Sequence, residues 1–211
     1  MSASLSSFAS GWLSDKYSRK YTIMIGAYIF ALGSTLEAGS TSLPMLIVGR
    51  LIVGVGEGLF LSAIGVYLVE ISPPDVRGRI SCMLQLFVTI GITAGYFVCY
   101  GSLSIPSSLS WRTPFIVQAA VALLLGLGMP MMSFSPRWLF QNGRVEEAWR
   151  VLEAFDRHSS SEKEKEELLA KAAERQGQGN ETIGVIQAFR NPENRGRTLL
   201  AIFVSRSLFF R

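Results

Sequence analysis

The chain has 211 residues, of which 49% are hydrophobic and only 17% charged, with a mean hydropathy of +0.32. A soluble domain carries nearer a quarter charged residues, so an ordinary water-soluble globule is excluded. The net charge of +4 and the pI near 9.3 do not point to nucleic acid. The basic residues sit in short turns between apolar runs rather than along one exposed stripe, which is how a membrane chain fixes its orientation. Residues up to about Phe134 carry the long apolar runs, whereas Arg137 to Arg197 is rich in Glu, Lys, Arg and Gln. This is the composition of a membrane domain followed by a soluble segment.

Residues 1 to 14, MSASLSSFASGWLS, are too short and too rich in serine to span a bilayer. They also lack the basic start and continuous apolar core of a signal peptide, and read as the tail end of a helix. Asp15, Lys16, Arg19 and Lys20 form a mainly cationic turn, expected on the cytoplasmic side. YTIMIGAYIFALGSTLEA, from Tyr21 to about Ala38, is an apolar helix with one acid, Glu37, near its far end. The turn after it, GSTSLP, has no basic residue and is expected outside.

From Met45 to Val69 the chain is almost wholly apolar, broken by Arg50 and Glu57. At about 1.5 Å per residue the run crosses a hydrocarbon layer about 30 Å thick. Gly54, Gly56 and Gly58 in its middle let a neighbouring helix approach closely in lipid, where association depends on packing. Glu70, Pro73, Pro74, Asp75, Arg77, Gly78 and Arg79 then make a polar, basic inner turn. Ile80 to about Tyr100 forms the next span, with Gln85 expected to be buried and Gly91 and Gly95 expected to pack. The outer turn GSLSIPSSLSWRTP carries one arginine, Arg112, and an interfacial aromatic, Trp111. Phe115 to about Phe134 is the last full span.

Cys82 and Cys99 share one predicted helix at roughly 25 Å separation, beyond disulfide reach, and read as small packing residues. The single histidine, His158, has no cysteine or second histidine to make a metal set. After Ser135, the residues Trp138, Leu139, Val145, Ala148, Trp149 and Leu152 recur at helical spacing, predicting an amphipathic helix on the inner surface. The charged stretch that follows is part helix and part linker, and its sequon at Asn180 is expected to stay unmodified on the cytoplasmic side. RGRTLLAIFVSRSLFFR at the end starts like another span.

Gly58, Tyr67, Glu70 and Arg77, with Arg50 before them, resemble in their spacing the signature of sugar porters of the major facilitator superfamily. GWLSDKYSRK resembles the loop between the second and third helices of that family. Gln85 matches its fifth-helix glutamine, and SPRWLFQNGRVEEAWRVL resembles the opening of its intracellular helical domain. The resemblance covers about residues 11 to 155, and faintly 190 to 204. Ser18 stands where the family has glycine, Gly65 where it has proline, and Ser133-Phe134 where it often has Pro-Glu. The family has twelve spans in two halves.

The resemblance implies an all-α, polytopic membrane protein: a partial major facilitator helical bundle. Residues 1–20 would be the end of a truncated helix and a cytoplasmic turn. Four spans follow at about 21–40, 44–70, 80–103 and 114–134, then a cytoplasmic linker at 136–195 and the stub of a further helix at 196–211. The implied function is transport of a sugar or polyol across a lipid bilayer by alternating access, as a uniporter or proton symporter, in the plasma membrane. The alternative is a truncated, non-transporting membrane protein, either a degenerate product or a partner of a full-length relative. No cofactor is implied. Without paired carboxylates, a metal set or a Ser/His constellation at membrane depth, an enzyme is not expected.

For the site residues, the resemblance implies an inner charge network of Asp15, Arg19, Lys20, Glu70, Arg77 and Arg137 that closes the inner side and breaks as the halves rock. Charge pairs at a membrane boundary are partly desolvated and can form a bistable latch. The alternative is that these charges only set orientation, which is the reading adopted for Lys16 and Arg79. Gln85 can donate and accept hydrogen bonds to sugar hydroxyls, or it can tie two helices together; its family position favours substrate. Arg50 and Glu57, about 10 Å apart along one helix, do not pair with each other. In proton-coupled relatives an arginine at the position of Arg50 faces a first-helix acid. Glu57 is open as a protonated acid, a proton site or a residue turned to water.

Overall fold

The computed structural model describes residues 2–72 and 76–155, all within one compact unit, Met1–Ser161. The expectations for Asp75, His158, the charged stretch, Asn180 and the apolar tail lie outside the described residues. Among the described residues the architecture is seven α-helices and a short 3₁₀ turn, with no strand. In chain order they are α1 (Ser2–Tyr17), α2 (Arg19–Ala38), α3 (Leu43–Ile71), α4 (Arg77–Ser102) and α5 (Leu109–Gly128). The 3₁₀ turn Met129–Met131, α6 (Pro136–Gln141) and α7 (Val145–Phe155) complete them. Helices α2, α3, α4 and α5 with its 3₁₀ extension are each long and apolar enough to cross a membrane.

The pairing of α2 with α3 is the centre of the bundle, and glycine makes it possible. Gly26 and Gly33 lie seven residues apart on α2, and Gly49 and Gly56 seven apart on α3. A Cβ on Gly26 would stand 2.9 Å from the Phe60 backbone nitrogen, and one on Gly56 would stand 2.5 Å from that of Phe30. One on Gly33 would meet the Val53 nitrogen at 2.7 Å. Backbone therefore lies on backbone at both ends of the crossing, the contact that gives helices their affinity in lipid. Phe30 and Phe60 close the seam edge to face, with ring centroids 5.4 Å apart. Towards the start of α2, Ile23, Ala63, Tyr67 and Met129 form the buried core, flanked by Met24, Phe60, Ile64, Ile71 and Leu125.

On its other side α3 receives α1, whose Ser6, Ser10 and Ser14 recur every four residues and are all buried. Ser10 Oγ donates to the Leu59 carbonyl at 3.0 Å, and Ser6 Oγ reaches that of Gly54 at 3.4 Å. Gly54 and Gly58 leave room for this serine face, against Ser2, Ala3 and Ser6. One residue, Ser18, joins α1 to α2, at φ 88° and ψ 143°. That is backbone favouring glycine, and it explains why the glycine found there in the resembling family suits the turn.

Three expectations are corrected. The last span begins at Leu109 rather than near residue 114: WRTP is helical, because Pro114 lies early in α5, where Thr113 Oγ1 caps back to the Leu109 carbonyl at 2.7 Å. The single amphipathic helix after Ser135 is two helices, broken at Gly143, which takes φ 74°. Helix α4 is far more open than its glycines suggested. It touches α5 and, less, α3. Its one buried residue is Ser102, at its far end. Gly91 and Gly95 have nothing within 4 Å of a Cβ, and Cys82 and Cys99 are free and exposed rather than packed.

Candidate functional site

The start of α2, the end of α3, the start of α4 and the exit of α5 meet at one end of the bundle, which holds most of the charges singled out in the sequence. Arg19 Nη2 of α2 lies 2.9 Å from Glu70 Oε1 of α3, with side chains only 13% and 6% exposed. The other oxygen of the carboxylate, Oε2, accepts the hydroxyl of the fully buried Ser135 at 2.7 Å. Glu70 thus joins three segments: α2 through a cation, α6 through its N-cap serine and α3 through its own backbone. A partly desolvated carboxylate held from two sides is well positioned and responds strongly to loss of either partner.

Lys20 belongs to a different contact set. Its ammonium donates to the carbonyls of Pro130 at 2.8 Å and Met132 at 2.7 Å and lies 4.7 Å from the Phe134 ring centroid. Proline and the 3₁₀ turn leave those carbonyls free of a helical partner, and Lys20 supplies their donor. The adjacent Tyr67 hydroxyl donates to the Ser133 carbonyl at 2.6 Å. Where the resembling family often has an acid, Phe134 packs on Trp138 at 5.7 Å and Tyr21 at 5.8 Å, and the Arg144 guanidinium carbon lies 5.7 Å from its ring. An aromatic face between two cations takes the place of a carboxylate.

The remaining predicted residues are more dispersed. Arg77 Nε donates to the Ser72 carbonyl at 3.1 Å, so Glu70 is paired with Arg19 and not with Arg77. Arg137 is exposed on α6. Asp15 belongs to α1. Gln85, expected to be buried, is exposed on α4, because no described helix covers that face. Glu57 is exposed as well, on α3.

The residue that the sequence reading passed over is Glu37. Its side chain is fully buried near the end of α2, and its Oε1 lies 3.1 Å from Arg50 Nε. Arg50 therefore has an acid partner within this unit, from the neighbouring helix. The signal available in the sequence was a lone acid in an apolar helix, facing a lone arginine across a short turn.

Four helices long and apolar enough to cross a membrane, glycine-on-glycine packing and a charge-tied end together describe a bundle of membrane-spanning helices. A family model described as "Sugar (and other) transporter" matches residues 1–210. The chain belongs to the sugar transporter family. Among its relatives, plastidic glucose transporter 4 of Arabidopsis thaliana is 38% identical over 153 residues, covering 72% of this chain and 28% of the relative. The arabinose-proton symporter of Escherichia coli strain K12 is 37% identical over 168 residues, covering 80% and 34%. Probable polyol transporter 3 of Arabidopsis thaliana is 38% identical over 167 residues, covering 78% and 32%. The chain thus spans about a third of the length of these curated relatives. Its fold is that of the Escherichia coli xylose transporter XylE. The partially occluded inward-open structure matches with a TM-score of 0.71 at 24% identity, over 89% of this chain and 49% of that one. The fold class is therefore a partial major facilitator bundle, and the chain is a multi-pass membrane protein.

Proposed function

We propose that the protein carries a sugar or polyol across its membrane by alternating access, with the Arg19–Glu70 end as its inner, cytoplasmic latch. The observation that carries this reading is the Arg19–Glu70–Ser135 cluster within a chain of the sugar transporter family. The cluster ties α2, α3 and α6 with partly desolvated charge, so a small movement exchanges protein partners for water. Such an element is two-state, and substrate binding can bias it. Asp15, Arg77 and Arg137 extend the latch when the other half closes on this end, whereas Lys20 holds α2 to the exit of α5 within this half. Gln85 stands on the open face of α4, where its amide can donate and accept to a sugar's hydroxyls.

Relatives named for glucose, arabinose and polyols support this substrate class. The reading includes proton coupling, for which one relative is named as a proton symporter. It retains the plasma membrane as the location. The plastidic relative names the competing compartment, and the position of a fluorescent fusion decides between them.

The test is uptake of labelled glucose, arabinose, xylose and a polyol by transporter-deficient cells expressing the protein. Saturable uptake of at least one, competed by the unlabelled compound, is expected, with Gln85→Ala raising the concentration for half-saturation. Background uptake of all four with the protein present in the membrane contradicts the reading.

A further inference from the structure

Glu37 combines features that none of the other acids described in the bundle share. It is the penultimate residue of α2, fully buried, and both carboxylate oxygens lack a well-formed hydrogen bond. Its side chain crosses to α3 over Gly49, where a Cβ would lie 2.7 Å from Glu37 Cγ. Arg50 Nε approaches to 3.1 Å, yet the arginine side chain is 56% exposed and its guanidinium carbon lies 5.2 Å from the Phe115 ring centroid. One partner is sealed in the helix crossing, and the other faces outward along an aromatic ring.

The other groups around it serve the backbone. The Ser40 hydroxyl donates to the carbonyl oxygen of Glu37 at 2.8 Å, and Arg112 Nη2 of α5 reaches the Ser40 carbonyl at 3.4 Å. Lys16, Arg19 and Lys20 lie at the opposite end of α2, and Glu57 is two turns further along α3. A helix C-terminus carries partial negative charge, so Arg50 is the group that balances a Glu37 anion. A buried carboxylate whose compensation rests on one half-exposed cation has two chemically reasonable forms: an anion on that cation, or a neutral acid in the helix crossing.

We propose that Glu37 is a reversible proton-binding site and that Arg50 is the cation its anion holds and its acid releases. A hydronium ion reaching the exposed side of Arg50 gives one proton to a carboxylate oxygen of Glu37: one O–H bond breaks, one forms, and a water molecule is left. The guanidinium keeps its charge, loses its partner and remains against Phe115 with its donors on the exposed face of α3. Acid and cation come from adjacent helices of one compact unit, so the step needs no residue outside it. The proton binding stands on this geometry alone; only its use to drive sugar movement rests on the carrier reading.

Infrared difference titration of the purified chain in detergent tests the proposal without any transport. Wild type minus Glu37→Gln is expected to show one carboxylic C=O stretch that appears as pH falls within the range where the protein stays folded. In Arg50→Gln the same band should persist to higher pH, because the anion has lost its cation. That variant, read against wild type, serves alone should Glu37→Gln fail to fold. A difference spectrum showing only ionised carboxylate across that range, or a titrating band indifferent to Arg50→Gln, overturns the proposal. Loss of sugar uptake with the titration intact would instead count against the carrier reading.

Discussion

Arg19 and Glu70 meet at 2.9 Å across the α2–α3 crossing, and the free oxygen of the same carboxylate takes the Ser135 hydroxyl at 2.7 Å. One acid thereby registers the position of two other segments. An exposed ion pair would contribute little, but these side chains are nearly out of water, so removing one partner leaves a costly unpaired charge. The contact suits the proposed latch for that reason: loss of either partner is strongly felt.

The Ser18 backbone predicts a stabilising substitution. A non-glycine residue at φ 88°, with its hydroxyl buried and without a hydrogen bond, is strained and incompletely satisfied. Ser18→Gly should raise stability by about 1–3 kcal/mol, visible as a higher thermal unfolding midpoint in detergent. Ser18→Val should lower it. An unchanged or lower midpoint for the glycine variant would show that the turn does not store strain.

Glycines at the crossing and glycines on α4 should respond oppositely to alanine. Gly56→Ala places a methyl group 2.5 Å from the Phe30 nitrogen and should force the helices apart, with a loss of about 1–3 kcal/mol. Gly91→Ala meets nothing and should be neutral, or gain up to about 1 kcal/mol in helix propensity. Thermal midpoints of the two variants side by side check this, and equal responses would deny the close approach.

Lys20→Met should destabilise the exit of α5. It keeps an unbranched side chain one atom shorter but leaves the Pro130 and Met132 carbonyls without their donor, at about 1–3 kcal/mol. Faster protease cleavage after Met132, with uptake reduced only in proportion to protein level, is the expected pattern. Loss of uptake at normal protein level would move Lys20 from a support of the fold into the latch.

Membrane sidedness is testable with thiols. With Cys82 and Cys99 replaced by serine, an impermeant maleimide applied to intact cells should label Gly101→Cys at the far end. It should label Gly78→Cys, beside the basic end, only after permeabilisation. Labelling of Gly78→Cys from outside would invert the orientation.

Much of this was legible in the chain because single residues carry it locally. Apolar runs of membrane length predict α2 to α5, and charges beside them predict which ends come together. Ser18 was visible as a departure from glycine before its φ was known. What stayed hidden depends on contacts between helices. Arg50 and Glu37 pair through the rotation of two helices about their axes, and a short turn does not reveal that rotation. The inner charges were visible as a group, but which of them pair was not: Glu70 takes Arg19 from another helix rather than Arg77, its neighbour in sequence. Gln85, Gly91 and Gly95 were read as buried because polar and small residues in an apolar run usually face a neighbour. On α4 nothing among the described residues covers them.

The most direct test of the latch is a charge exchange read by labelled-sugar uptake. Arg19→Glu and Glu70→Arg should each bring uptake close to background at normal membrane levels, because each leaves like charges facing across 2.9 Å. The double exchange should recover a substantial part of it. Wild-type uptake in either single variant, or no recovery in a double variant that folds and reaches the membrane, would contradict a carrier latched by Arg19 and Glu70.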